Sequence, residues 1–204
     1  MKGFSRRDFL KAGALAPLLA GVDTPAGDAA SVESRTDGSD ENIIFMVSDG
    51  MSSGTLAMAD LMMRNLHGRS SQWMSIYERN QGRRSLMDTA SASSCVTDSA
   101  AASSAWGCGH RVANSAINTG PQGEVYSTIW QQMKSAGKAI GLVTTTRITH
   151  ATPAGFLANV TRRNEEETIA QQYLDRGADV LYGGGAYMLD QARRTDKRDM
   201  FEAF

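Results

Sequence analysis

What most constrains the fold of this chain is a regular alternation between two kinds of apolar period. Short apolar runs of strand character occupy residues 43–47, 139–144 and 179–182, and between them lie segments with helical spacing at 53–66, 98–106, 128–136 and 165–176. The first of these spaces Leu56, Met58, Leu61, Met62 and Leu66 along a helix. Residues 128–136 gather Ile129, Trp130 and Met133 on one face and stop at Gly137. Residues 165–176 open on Glu165, Glu166 and Glu167, the sign of charge a helix N-terminus favours, and end at Gly177. Residues 98–106 are mostly Ala and Ser, a composition that tolerates close packing. Strand and helix in alternation with short joints predict an α/β chain of three-layer αβα type, with a mostly parallel sheet covered on both faces. Function in such sheets gathers at the carboxyl ends of the strands. Asp49 follows the first run and residues 145–152 follow the second, so both belong on one rim.

The N-terminus reads differently. Ser5-Arg6-Arg7-Asp8-Phe9-Leu10-Lys11 has the order of a twin-arginine export signal, followed by an apolar segment at 12–22. That segment falls short of the ~20 apolar residues a membrane span needs. Residues 1–30 are therefore expected to be an export signal and 31–41, small and polar, a flexible tether, leaving 42–204 as the folding unit. The destination is then periplasmic or secreted, with no stable membrane insertion once the signal is removed. Lys and Arg total 21 against 22 Asp and Glu, a formal charge of −1, which excludes a strongly basic surface for general nucleic-acid binding. Cys95 and Cys108 stand at opposite ends of the small-residue helix, farther apart than the ~7 Å Cα limit for a disulfide, and are expected as two free, mostly buried thiols.

The run Val96-Thr97-Asp98-Ser99-Ala100-Ala101-Ala102 places a serine at the start of a helix, just after a capping-type Thr-Asp pair. The unpaired N–H groups of a first turn favour an anion, and the Ser99 hydroxyl there could attack phosphorus if something else ionised it. Asp49, which follows five apolar residues and Ser48 and precedes Gly50, is a natural metal ligand; its structural alternative is a cap for the next helix. Asp98 suits an N-cap. A single His150 is more often structural than a ligand, and Thr152 before Pro153 could begin a helix with proline in its first position. Arg162 and Arg163 together would ordinarily be a solvated helix end.

Three stretches in order, Asp49-Gly50-Met51, Thr97-Asp98-Ser99-Ala100-Ala101 and Thr145-Thr146-Arg147-Ile148-Thr149-His150-Ala151-Thr152-Pro153-Ala154-Gly155, resemble the alkaline phosphatase family, and the likeness runs from Asn42 to about Leu189. The resemblance implies hydrolysis of phosphate monoesters with Zn²⁺ and Mg²⁺, and a homodimer where the domain is complete. It implies that Ser99 becomes transiently phosphorylated, that Asp49 bridges metal ions, and that Thr152 and His150 lie at the magnesium site. It assigns the phosphate-binding arginine to Arg163 rather than Arg162, with Asp98 orienting it. In the family the remaining metal ligands come later than Phe204, so the 204-residue chain is expected to be impaired in turnover; His67 and His110, in helix-end and loop contexts, do not replace them. A sulfatase of the same superfamily would place x-Pro-x-Arg after the nucleophile, where this chain has Ala100-Ala101-Ala102, and phosphodiesterase relatives use threonine. The other reading is a non-catalytic remnant, or a fragment that needs a complementary segment.

Overall fold

The computed structural model describes residues 42–204; the expected export signal and tether lie outside the described residues. Among the described residues, 42–46 belong to one unit of the chain and Val47–Phe204 form a second, compact one. Residues 42–46 carry no regular secondary structure and belong to no strand. This corrects the expected buried strand at 43–47: Ile43, Ile44 and Met46 are 76%, 85% and 87% exposed. A buried parallel strand needs ladder partners on its edges, and among the described residues this run carries no strand ladder.

The second unit begins with α1 (Ser53–His67) and α2 (Gln72–Glu78). Helix α1 forms where its spacing predicts and ends at Gly68 in the left-handed conformation, but its apolar spacing is not what it buries. Met58, Leu61 and Met62 are exposed, while Asp60 is buried, accepting from Arg64 Nε and from the Ser71 amide at 2.7 Å each. A charged clasp ties α1 to the start of α2.

Next come α3 (Ser99–Gly107) and α4 (Ile129–Ser135), the latter closed at its start by a capping box between Thr128 and Gln131. Strand β1 (Gly141–Arg147) then leads through the short α5 (Ala151–Ala154) and through α6 (Glu166–Asp175) to β2 (Val180–Gly184), and a last helix α7 covers Met200–Ala203. β1 and β2 pair in parallel from Gly141 opposite Val180 to Val143 opposite Tyr182, with an irregularity before Arg147 meets Gly184. The α/β class and the parallel pairing follow the sequence pattern, with α6 as the crossover. On one face the pair covers a core of Leu142, Ile148, Phe156, Leu157, Ile169 and Tyr173; on the other, Val143 and Tyr182 are exposed.

The small residues of α3 matter because of where that helix packs. A Cβ at Gly107 would collide with the backbone carbonyl of Gly155, and one at Gly155 with the Ser103 side chain. Ser103 Oγ in turn donates to the Ala151 carbonyl at 3.1 Å. Helix α3 and the α5 turn thus approach at backbone distance, which larger side chains would prevent, and this brings the first turn of α3 beside the residues that follow β1.

Candidate active site

Helix α3 starts at Ser99 because Asp98, in extended conformation (φ −105°), turns its carboxylate back to accept from the Ala101 amide at 2.9 Å. This leaves Ser99 at the outset of the helix, partly exposed. Its Oγ donates to Asp49, 3.1 Å from Oδ1 and 3.3 Å from Oδ2. Thr152 Oγ1 donates to the same carboxylate at 2.8 Å from Oδ2. One exposed carboxylate therefore joins hydroxyls that lie 50 and 103 positions away in sequence. Asp49 does not cap the next helix: the residue at the cap of α1 is Ser52.

Asp98 has a second task. Its Oδ2 accepts from Arg163 Nη1 at 3.2 Å, while Arg163 Nη2 lies 2.9 Å from His150 Nε2. Guanidinium nitrogens only donate, so Nε2 accepts and the ring proton sits on Nδ1, a buried atom with no partner in the described structure. Burial, joined by the positive charge of Arg163, holds the His150 pKa below its ordinary value, in keeping with a neutral ring. Arg163, not Arg162, faces the site: Arg162 is exposed, and its amide donates to Glu165. All six sequence candidates, Asp49, Asp98, Ser99, His150, Thr152 and Arg163, thus converge in two linked groups.

The expected helix start at Thr152–Pro153 is corrected by two residues. His150 occupies the cap position and Pro153 is the third residue of α5, not the first. Proline is still tolerated there, since N–H groups of a first turn have no intrahelical acceptor. The cysteines are free as expected, but Cys95 is exposed and only Cys108 is half-buried; the segment before α3 has little packed over it. His67 ends α1 and His110 stacks on Tyr126, both apart from these contacts.

Other residues hold the site as well, and those on α6, Glu166 and Tyr173, lie outside the three family-like stretches. Arg147, the last residue of β1, and Thr149, on the turn that follows, both donate to Glu166: Arg147 Nη2 to Oε1 at 2.7 Å and Thr149 Oγ1 to Oε2 at 2.5 Å. Tyr173 Oη adds a bond to the Ile148 carbonyl at 3.0 Å. Helix α6 thereby fixes the turn that carries His150 and Thr152. Glu166 was legible only as one of three acids in a first turn; nothing local distinguishes the inward one. Far from the site, Arg194 is 1% exposed, its guanidinium bonded to Asp196 and to the Met188 carbonyl.

The donors present at Asp49 are a carboxylate and two hydroxyls, all hard oxygens, which fit part of a Mg²⁺ site. Zinc in proteins takes about four N, S or O ligands, and among the described residues no group of three or more His, Cys, Asp and Glu is close enough to hold a metal. The described side chains fit a share of a magnesium site and do not form a zinc site.

Comparison with known proteins gives the family of the chain. The family model for alkaline phosphatase matches residues 40–202. An alkaline phosphatase of Schizosaccharomyces pombe is 35% identical over 148 residues, covering 70% of this chain and 27% of that protein. The crystal structure of Thermus thermophilus alkaline phosphatase superposes with a TM-score of 0.71 at 40% identity, over 78% of this chain and 33% of the other. A variant of the alkaline phosphatase from the Antarctic bacterium TAB5, with glutamate in place of a histidine and Mg bound in its M3 site, gives 0.62 at 27% identity, over 77% of this chain and 42% of its own. The chain thus spans between about a quarter and two fifths of the length of these relatives.

Proposed function

The chain belongs to the alkaline phosphatase family, and from that premise we propose that it is built to hydrolyse phosphate monoesters through a phosphoserine formed on Ser99. The observation that carries this is the joint placement of a hydroxyl at a helix start, a carboxylate 3.1 Å from its oxygen, and an arginine beside the cap of the same helix. An anion is favoured at that point by the first-turn amides of α3, a nine-residue helix. Arg163 spends one N–H on Asp98 and one on His150, leaving three of its five donors for phosphate oxygens. The partial burial of the pair, with Arg163 and Asp98 side chains 29% and 27% exposed, keeps the guanidinium oriented yet open to a ligand.

The chemistry then follows two displacements at phosphorus. Ser99 Oγ attacks, the Oγ–P bond forms, and the ester P–O bond breaks; the hydroxyl proton passes to Asp49 Oδ1 or to solvent, and the departing alkoxide takes one from water. Water next attacks the phosphoserine, releasing inorganic phosphate and restoring the hydroxyl. A serine hydroxyl is a weak nucleophile against a plain carboxylate. A divalent cation held by Asp49 and Thr152, with His150 close by, would lower the pKa of the hydroxyl and of the attacking water. By family resemblance, zinc would be the second metal.

We further propose a homodimer for the complete domain, again by family resemblance, and export by the twin-arginine route, supported by Arg6-Arg7 in its Ser5-to-Lys11 context. No helix among the described residues is long and apolar enough to cross a membrane. The phosphoserine is tested in the chain extended by the later segment of an intact relative, incubated with a radioactive phosphate monoester, zinc and magnesium, followed by acid quench and peptide mapping. Label on the Ser99 peptide, lost in S99A, is expected. Label retained in S99A, or none, would refute it.

A further inference from the structure

We propose that the turn at Asn114 and Ser115 is a positioning element for this site, fixing from one place both the segment that presents Ser99 and the guanidinium of Arg163. The inference rests on the roles given above to those two residues. The segment before α3 needs an outside hold: residues 93–96 are exposed, Val96 by 75%, so packing does not fix them. Asn114 supplies one. Its Oδ1 accepts from the Asp98 amide at 3.1 Å and its Nδ2 donates to the Val96 carbonyl at 2.9 Å, so one planar amide grips the backbone on both sides of Thr97. Its own amide donates to Ser93 Oγ at 3.0 Å. An acceptor and a donor are needed together, which Asp, Leu or Ala cannot provide.

Ser115 completes the device with its backbone. Its amide donates to Asp98 Oδ2 at 3.0 Å, the same oxygen that receives Arg163, and its carbonyl accepts from the Arg163 amide at 2.7 Å. The nucleophile's cap and the arginine's main chain therefore hang on one residue. Ser115 pays for this with φ +75°, a region that residues bearing a Cβ avoid unless the surroundings impose it. Here the imposing contacts are those to Asp98 and Arg163.

The test uses the ¹⁵N-labelled 204-residue chain, free of phosphate. N114A is expected to displace the Ser99 amide and Arg163 Nε–Hε signals, and to speed amide exchange at Asp98 at least tenfold, with the core amides of Ile169 and Tyr173 unmoved. S115G, which keeps both backbone bonds and accepts the positive φ, is expected to keep the wild-type Ser99 and Arg163 signals. Unmoved Ser99 and Arg163 signals in N114A, or displacement spread equally through the core, would overturn the proposal. Should N114A fail to fold, N114D decides on the same signals, since it keeps the acceptor but loses the donor to Val96: displaced site signals over an unmoved core support the role, and wild-type positions overturn it. Titration of the wild-type chain with inorganic phosphate tests the underlying reading separately. An Arg163 signal that ignores phosphate defeats the phosphatase reading, while the positioning role stands or falls on the phosphate-free spectra.

Discussion

Replacing Glu166 should loosen the turn that carries His150 and Thr152, and its cost can be worked from the contacts. The carboxylate is buried and accepts from Arg147 Nε and Nη2 and from Thr149 Oγ1, a side chain on a fully buried residue. Glu166→Ala leaves the Thr149 hydroxyl without its acceptor and opens a void, while Arg147, 42% exposed, can turn to solvent. An unsatisfied buried hydroxyl costs about 1–3 kcal/mol, and the lost charge-assisted bonds about as much again before solvation of Arg147 is discounted. We therefore expect about 2–4 kcal/mol for Glu166→Ala. Glu166→Gln keeps an acceptor and should cost about 1 kcal/mol. At this chain size each kcal/mol moves the melting temperature by roughly 2–4 °C. Burial pushes the Glu166 carboxyl up, but the bonds from Arg147 and Thr149 outweigh it and leave the folded pKa below 4.5. A depressed folded pKa gives stability that is present above the unfolded value and lost as pH falls through the folded one. Wild type should thus lose stability below about pH 4.5 more steeply than Glu166→Gln. Urea denaturation of the full chain at pH 7 and at steps down to pH 3.5 measures both effects. A Glu166→Ala midpoint equivalent to less than about 0.5 kcal/mol, or a Glu166→Gln variant as damaged as Ala, would show that the clasp does not hold the turn.

Three further outcomes are expected. Arg163→Ala should weaken binding of inorganic phosphate by about 1.5–3 kcal/mol, the worth of a charge-assisted hydrogen bond, while Arg162→Ala changes it little; calorimetric titration decides, and a larger loss in the Arg162 variant would refute the assignment. The isolated 204-residue chain, assayed with a chromogenic monoester at alkaline pH with zinc and magnesium, should show negligible turnover because its described residues form no zinc site; a rate within tenfold of an intact relative would contradict this. Replacing Arg6 and Arg7 with lysine should abolish export measured by cell fractionation, and an unchanged periplasmic yield would show that the pair is not read as a signal.

How far the sequence spoke depended on whether the physics was local. Helices α3, α4 and α6 are each announced by a cap and an end within a few residues, and each forms within about two residues of its expected bounds. The run at 43–47 misled because an apolar strand is defined by its neighbours, and no local period says whether those are present. Helix α1 misled in the other sense, since its spacing gave the helix but Asp60, bonded to Arg64 and Ser71, decided what is buried. The candidate site was legible because each motif residue has a fixed place relative to an element end. Asp98 and Ser99 straddle a helix start, Asp49 precedes a glycine with φ +65°, and His150 and Thr152 flank the start of α5.

What escaped notice was the set of residues whose only task is to hold those places. Glu166, Asn114 and Ser115 act on partners 17, 16 and 17 positions away, distances with no period to betray them. Their chemistry nevertheless explains why Arg163, and not Arg162, lies beside Asp98. A side chain at position 162 starts from a backbone amide bonded to Glu165, facing solvent, whereas position 163 starts from one bonded to the carbonyl of Ser115, already beside Asp98. The choice between two adjacent arginines is thus made by the main chain before either guanidinium forms a bond. A substitution that kept both arginines but removed the Ser115 carbonyl's hold would blur the distinction between positions 162 and 163.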